Sequence, residues 1–178
     1  MELILLEQVT DPGHLGQLEQ LLVVADKEFI PPLSARSSTT QTSLEQGPEN
    51  SDGVRAYFDV MKTQAMVLAM DGERLAGFMA FRFDLTNELI GPETLPNIYA
   101  TTSVVHPDYR GQGLMNKMYR TMIGGYPQRA VYTRTWSGNL SHLKVAQRLG
   151  FTQLCCLKDH RGPGVDTVYI ERKPAPLD

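Results

Sequence analysis

The stretch HPDYRGQGLMNKM, His106 to Met118, decides how this chain is to be read. It begins where an apolar run ends, sets two glycines one residue apart beside Arg110, and passes into a helical pattern. Glycine lets a backbone come close to another molecule, because it has no Cβ to collide and adopts positive φ freely. A pair that follows a strand and opens a helix leaves the first helical amides unpaired at the positive end of the dipole, a ready anion site. By spacing alone, the same pair also fits a plain helix-entry turn packed on a strand.

The surroundings favour the anion. Net charge over the 178 residues is only -3. From Met1 to Val105, however, six basic residues face fifteen acidic ones, whereas His106 to Phe151 holds seven basic residues and a single acid, Asp108. A basic block beside the glycines suits an anionic ligand, and the acidic remainder suggests a cationic second partner. The block is small and has no recognition motif beside it, which argues against nucleic acid.

Composition bounds the rest. With 42% apolar and 21% charged residues, the chain is expected to fold as one domain over 1–178. No window approaches the roughly 18 uninterrupted apolar residues of a membrane span. Glu2 stands where a signal peptide carries positive charge, so a cytoplasmic protein without a membrane segment is expected. The two cysteines, Cys155 and Cys156, are adjacent, a spacing that suits neither a disulfide framework nor a metal site, and no metal is expected.

Outward from the glycines, the periodicities give the element order. LILLEQV reads as a strand and TDPGHLGQLEQLLVVADKEF as a helix capped by Thr10 or Asp11. A Ser, Thr, Pro and Gly-rich loop, IPPLSARSSTTQTSLEQGPENSD, precedes a helix with Val54, Tyr57, Phe58 and Met61 on one face. AMVLAM and RLAGFMAFRF form a hairpin turning at Asp71 and Gly72, and NIYATTSVV is the strand before the glycines. GLMNKMYRTMIGG is a helix with Leu114, Met118 and Met122 inward. RAVYTRT is a strand, and SGNLSHLKVAQRLG is a helix with Ser137 as its cap, Leu140, Leu143 and Leu149 inward, and Gly150 as its stop. FTQLCCL and DTVYIER finish as strands. The order β-α-α-β-β-β-α-β-α-β-β predicts an α/β (α+β) fold, a mixed sheet with helices on both faces.

Two familiar phosphate motifs do not fit. A dinucleotide fingerprint needs a third glycine and an acid about twenty residues on, where this chain reads RAVYTRT. A P-loop needs Gly-Lys-Ser/Thr, which GQGLMN lacks.

VVHPDYRGQGLMNKMY is similar to the acyl-CoA-binding signature of the GNAT superfamily of N-acetyltransferases, Gln/Arg-x-x-Gly-x-Gly/Ala, matched by Arg110, Gly113 and Met115. Met115 departs from the small residue of that pattern. GNLSHLKVAQRLGF resembles the family's second motif, an Asn-opened helix ending in Gly-Phe. The resemblance implies acetyl-CoA as cosubstrate and direct transfer of the acetyl group to a primary amine on a small molecule or peptide. It implies that the amides of Arg110, Gly111, Gln112, Gly113, Leu114 and Met115 cradle the pyrophosphate. It also implies that the pantetheine lies along Ser103, Val104 and Val105, with Asn139 as a contact.

The catalytic residues are less legible. The family's Glu near the central strand has no counterpart in Tyr99 to Ser103, so the general base is unidentified. The Tyr that the family often places seven residues after the Asn is Ala146 in this chain. His142, one turn beyond Asn139, is the candidate that could face the thioester, in a catalytic role and as a cofactor contact. Its alternative is a surface histidine near a helix cap. Tyr132 and Tyr169 read as core or groove lining. The long loop, with Ser34, Arg36, Ser37, Ser38, Thr39 and Thr40, could order around an acceptor or lie solvated. The missing Glu and Tyr keep open a CoA-binding sensor without turnover, and the oligomeric state stays open, a homodimer included.

Overall fold

The computed structural model describes residues 1–44 and 51–174; the end of the predicted long loop, 45–50, lies outside the described residues. Seven strands are β1 (Glu2–Leu6), β2 (Ala65–Asp71), β3 (Arg74–Phe83), β4 (Asn97–Val105), β5 (Ala130–Trp136), β6 (Thr152–Leu157) and β7 (Thr167–Arg172). Four helices are α1 (Pro12–Ala25), α2 (Arg55–Met61), α3 (Leu114–Gly125) and α4 (Leu140–Arg148). Their sequence along the chain is the expected one. The strands form one sheet in the order β1-β2-β3-β4-β5-β7-β6, antiparallel except where β4 runs parallel to β5.

Both faces of the sheet are covered. Leu18, Leu21 and Leu22 of α1 and Tyr57, Phe58 and Met61 of α2 pack with Met66, Leu68 and Phe78 on one side. Leu114, Met118, Tyr119 and Met122 of α3 and Ala146 of α4 pack with Val67, Met79, Phe81 and Val131 on the other. Burying the central strands on both faces explains why β2 reads as a continuous apolar run rather than an alternating one. Gly125 lets α3 lie close on β1, since a Cβ there would collide with the Leu5 side chain.

Several local expectations shift by a residue or reverse. Asp11 rather than Thr10 caps α1, its carboxylate accepting from His14 N at 2.8 Å. The hairpin turns at Gly72 and Glu73, because Asp71 still pairs with Arg74. Gly72, at φ +59°, takes the first central position that favours glycine. Asn139, not Ser137, caps α4, accepting from His142 N. Leu140 points outward and is 60% exposed, while Ala146 takes the buried position of that helix. Cys155 and Cys156 face opposite sides of the sheet, and both are half-buried.

The loop after α1 is knitted into the fold where it is described. Asp26 is buried and accepts from Ser34 N at 2.7 Å and from Ser34 Oγ at 2.8 Å. Gln41 Oε1 accepts from the amides of Ser37 and Ser38. Gln64 donates to Thr39 Oγ1 at 2.7 Å, and Tyr57 shares a hydrogen bond of 2.6 Å with Thr102. Most of the hydroxyls that had suggested an acceptor surface therefore hold the loop in place. Leu33 and Leu44, fully buried, supply its apolar anchors.

Candidate active site

Pairing between β4 and β5 ends at Ala100 and Thr133. Beyond them β5 continues to pair only with β7, as far as Trp136, while β4 runs on to Val105 beside β3. The two strands part, and a cleft opens through the sheet. A register shift sharpens it: Ala80 pairs with Thr102 and Phe81 with Ala100, which leaves Thr101 as the extra residue of a bulge. The cavity has a volume of about 560 Å³ and is lined by Ala100 to Val105 on one wall and Thr133 to Trp136 on the other. The edge of β4 that faces it is a row of backbone groups able to accept an extended ligand as an added strand.

At one mouth of this cleft stands the N-terminus of α3. Gly113 is its cap residue, at φ +73° with no side-chain capping bond, and Gly111 has φ +74°. A Cβ at either position would meet nothing within 4 Å, so the space above the turn is open and the left-handed backbone is what demands glycine. The free amides of the first turn thus point into a concave site at the positive end of a twelve-residue helix. This is a fit for a diphosphate, and the residues present suit the coenzyme implied by the sequence motif. Leu114 and Met115 also line the cavity; Gln112 does not, and its side chain reaches back to Asp108 O at 3.5 Å.

The Arg110 side chain is already engaged within the fold. Its guanidinium makes a two-point bridge to Glu28 at 2.8 and 2.9 Å, and its Nε donates to Val105 O at 3.1 Å. Arg110 thus ties the end of β4 to the turn after α1 across the cavity mouth. Glu28 is the one acid among the cavity-lining residues described.

The sheet face covered by α3 and α4 carries a second group of polar side chains that border the cavity. Asn139 Nδ2 donates to Thr135 Oγ1 at 3.0 Å, while its oxygen accepts from Ser141 Oγ and from His142 N. The side chain that sequence marked as a coenzyme contact is therefore already engaged as a cap, though it does line the cavity. His142 also lines it, and its Nε2 lies 2.8 Å from the hydroxyl of Tyr119, with the two rings stacked at 18°. Enclosure of the imidazole lowers its pKa from 6.5 to about 4, so it is neutral near pH 7. Burial pushes the Tyr119 phenol well above its ordinary value, and the Ser103 and Thr133 hydroxyls lie within its reach. The helical periodicity did not mark Tyr119, and nothing local in the sequence pairs it with His142, 23 residues away.

The opposite face carries charge. Arg134 of β5 alternates to the side away from Thr133 and Thr135 and meets Arg36 from the loop after α1 and Arg161 from the loop between β6 and β7. No acid of β4 faces the cleft, and among the described residues Glu28 is the one carboxylate of the first half of the chain that lines it. Among the described residues no cluster of His, Cys, Asp and Glu could hold a metal ion. No helix among them is long and apolar enough to cross a membrane.

A family model described as the acetyltransferase (GNAT) family matches residues 35–151. The chain belongs to the GNAT acetyltransferase family. Its members take acetyl-CoA as acyl donor, and this acetyltransferase is an acetyl-CoA-dependent enzyme of that kind. Solved structures share the fold at low sequence identity. The aminoglycoside 6'-N-acetyltransferase from Enterococcus faecium aligns with a TM-score of 0.68 at 12% identity, over 100% of this chain and 99% of that one. An aminoglycoside 6'-N-acetyltransferase complexed with coenzyme A gives 0.69 at 12% identity, over 100% and 99%. The ribosomal-protein-alanine N-acetyltransferase from Brucella melitensis gives 0.64 at 12% identity, over 97% and 99%. None of the curated proteins compared with this acetyltransferase matches it in sequence.

Proposed function

We propose that this acetyltransferase N-acetylates a primary amine, on a small molecule or a peptide, by direct attack on the thioester of acetyl-CoA. The observation that carries the reading is the cleft through the sheet, with an uncapped helix N-terminus at one mouth and the bulged edge of β4 along its wall. When bound, acetyl-CoA supplies an activated acyl group and a thiol leaving group with a pKa of ~8.5. The amides from Arg110 to Met115 grip the diphosphate. The edge of β4 from Ser103 to Val105 holds the extended arm and directs a backbone N–H at the thioester carbonyl, where charge builds as the amine attacks.

Proton traffic follows from the two faces. On the thioester side, the Tyr119 hydroxyl donates to Nε2 of neutral His142, which leaves the ring hydrogen on Nδ1 to hydrogen-bond the departing thiolate, while the proton that completes the thiol is the one released by the attacking nitrogen. This pair takes the place of the tyrosine missing at position 146. Among the described residues on the acceptor side, no carboxylate stands ready as a base. Instead the guanidinium groups there depress the ammonium pKa of the acceptor below the ~10.4 of a free lysine, which raises the fraction that can attack.

The test is acetyl-CoA-dependent thiol release across a panel of primary amines, with the products weighed by mass spectrometry. Acetylated amine is expected. Coenzyme A binding with no acetylated product from any amine would overturn the reading.

A further inference from the structure

One large side chain of the cavity wall is left unused by the fold. Trp136, the single tryptophan of the chain, ends β5 and lines the cavity. It is half-buried, yet it packs in none of the three apolar clusters that hold the sheet and its helices together. Among the described residues its indole N–H finds no acceptor and its ring no aromatic or cationic partner. A tryptophan enclosed by its own fold normally has both.

The ring is nonetheless held in place. Gly138, two residues on, lies against its six-membered half: a Cβ there would come within 1.9 Å of Cζ3 and 2.7 Å of Cε3 and Cη2. Unlike Gly111 and Gly113, Gly138 does not have a left-handed φ, so the indole and not the backbone is what demands glycine. Arg134 and Trp136 project to one side of β5, whereas Thr133 and Thr135 project to the other, where Asn139 holds Thr135. The indole therefore stands on the arginine-lined side of the cavity. Ala25 and Phe29, from the end of α1 and the turn after it, add apolar surface to the same space. A rigid ring with two torsions offers a large contact area at little entropic cost, and its face suits a second apolar ring, stacked or edge-on.

Resting on the amine-acetyltransferase reading above, we infer that Trp136 is a specificity-determining residue: the acceptor amine carries an apolar ring, which packs against the indole while the nitrogen reaches the thioester. Gly138 sets the angle of that wall. An acceptor without such a ring leaves the indole face in water and gains nothing from it, so discrimination rests on the apolar surface buried at Trp136. The indole takes no part in bond making; it decides which amines are held.

The experiment has two arms, both with the full chain. In the first, kcat/KM is measured for matched pairs that differ only in a phenyl ring: phenethylamine and ethylamine as small amines, phenylalaninamide and alaninamide as mimics of a peptide N-terminus. The phenyl member of at least one pair is expected to be favoured by about tenfold or more, and the pair that shows the preference separates small molecule from peptide. In Trp136→Ala that preference falls to within a few fold of unity, and Trp136→Phe recovers part of it. Gly138→Ala, which keeps the indole but pushes it off its seat, lowers the preference as well. Coenzyme A affinity, read by calorimetry, stays within a few fold of the wild type in all three variants. Equal use of both members of each pair, a preference that survives Trp136→Ala, or coenzyme affinity lost in that variant overturns the inference and leaves the amine reading standing. The second arm is independent of turnover. With one tryptophan in the chain, its emission reports on this wall alone. Phenethylamine and phenylalaninamide are titrated into protein already saturated with coenzyme A, and at least one is expected to shift the emission to shorter wavelength, by less in Gly138→Ala. That shift with no amine acetylated keeps the ring site and removes the amine reading; an emission that neither compound moves overturns the inference. Trp136 lies outside the core clusters, so each variant is expected to fold, as its melting temperature will show. Should Trp136→Ala be unfolded, Trp136→Phe and Gly138→Ala decide the question.

Discussion

Ala100 and Thr133 are the last residues paired across the parallel strands, and Thr133 Oγ1 closes the junction by donating to Ala100 O at 2.9 Å. Everything this acetyltransferase does is expected to happen just beyond that bond, where the strands separate. The junction places the bulged residue Thr101 next to the start of the cleft, and Gln64 Oε1 holds the Thr101 hydroxyl at 2.6 Å from the α2 side.

Gly113→Val tests the cradle. The site has room for the side chain, so the penalty is one of backbone conformation: a β-branched residue at φ +73° costs at least about 1–2 kcal/mol. The melting temperature is expected to fall by a few degrees. Because the first-turn amides lose their aim, coenzyme A affinity is expected to drop by about tenfold or more, read by calorimetry. Unchanged affinity in a folded variant would move the diphosphate elsewhere.

The Arg110 and Glu28 bridge predicts a coupled response. Arg110→Ala leaves the Glu28 carboxylate facing the coenzyme phosphates alone, so affinity is expected to fall. Arg110→Ala combined with Glu28→Gln is expected to recover much of the loss. Both partners are about half exposed, and thermal stability should change by less than about 1 kcal/mol. A double-mutant cycle on the dissociation constant measures the coupling, and strict additivity would contradict it.

His142 predicts a pH dependence of stability. Its pKa of about 4 in the folded protein lies below the ~6.5 of the unfolded chain, so the unfolded state binds more protons between those values. The contribution of the neutral ring is fully present above pH ~6.5 and is lost as pH falls through that window. It amounts to something on the order of 2 kcal/mol once partial exposure is allowed for. His142→Gln should flatten the difference between urea midpoints at pH 4.5 and pH 7. Parallel profiles for the two proteins would mean that the ring is not enclosed.

Tyr119→Phe removes the hydroxyl that faces His142 while leaving the cavity walls as they are. A kcat lower by about tenfold or more at neutral pH is expected. The deficit should shrink as the pH passes the ~8.5 of a free thiol, since the leaving group then needs no proton. A deficit independent of pH would make the tyrosine a packing residue only.

The sequence carried those parts of the molecule that depend on neighbours along the chain. Periodicity and turn residues gave the order of strands and helices, and the glycines at 111 and 113 announced a left-handed turn before a helix. The inward face of α3 was readable because five of its apolar positions recur at helical spacing. The arginine-lined side of the cavity was not readable. Arg36, Arg134 and Arg161 are 98 and 27 residues apart in turn, and their meeting depends on how β5 alternates and where two loops come to rest. Charge counting along the chain carries no such positional information: carboxylates that dominate a segment need not line the cavity that segment borders. Leu140 shows the limit of periodicity near a helix start, where an apolar residue on the expected face lies beyond the edge of the core.

The parting of β4 from β5 opens the cavity toward both faces of the sheet. In the proposed reading the acyl donor comes in past α3 and α4, the nucleophile past the loops on the far side, and they meet inside the sheet. Neither has to vacate the site before the other arrives, and neither cysteine lines the passage to store the acyl group between visits. Such a passage favours a ternary complex, so initial-rate plots at varied donor and acceptor concentrations should give intersecting rather than parallel lines.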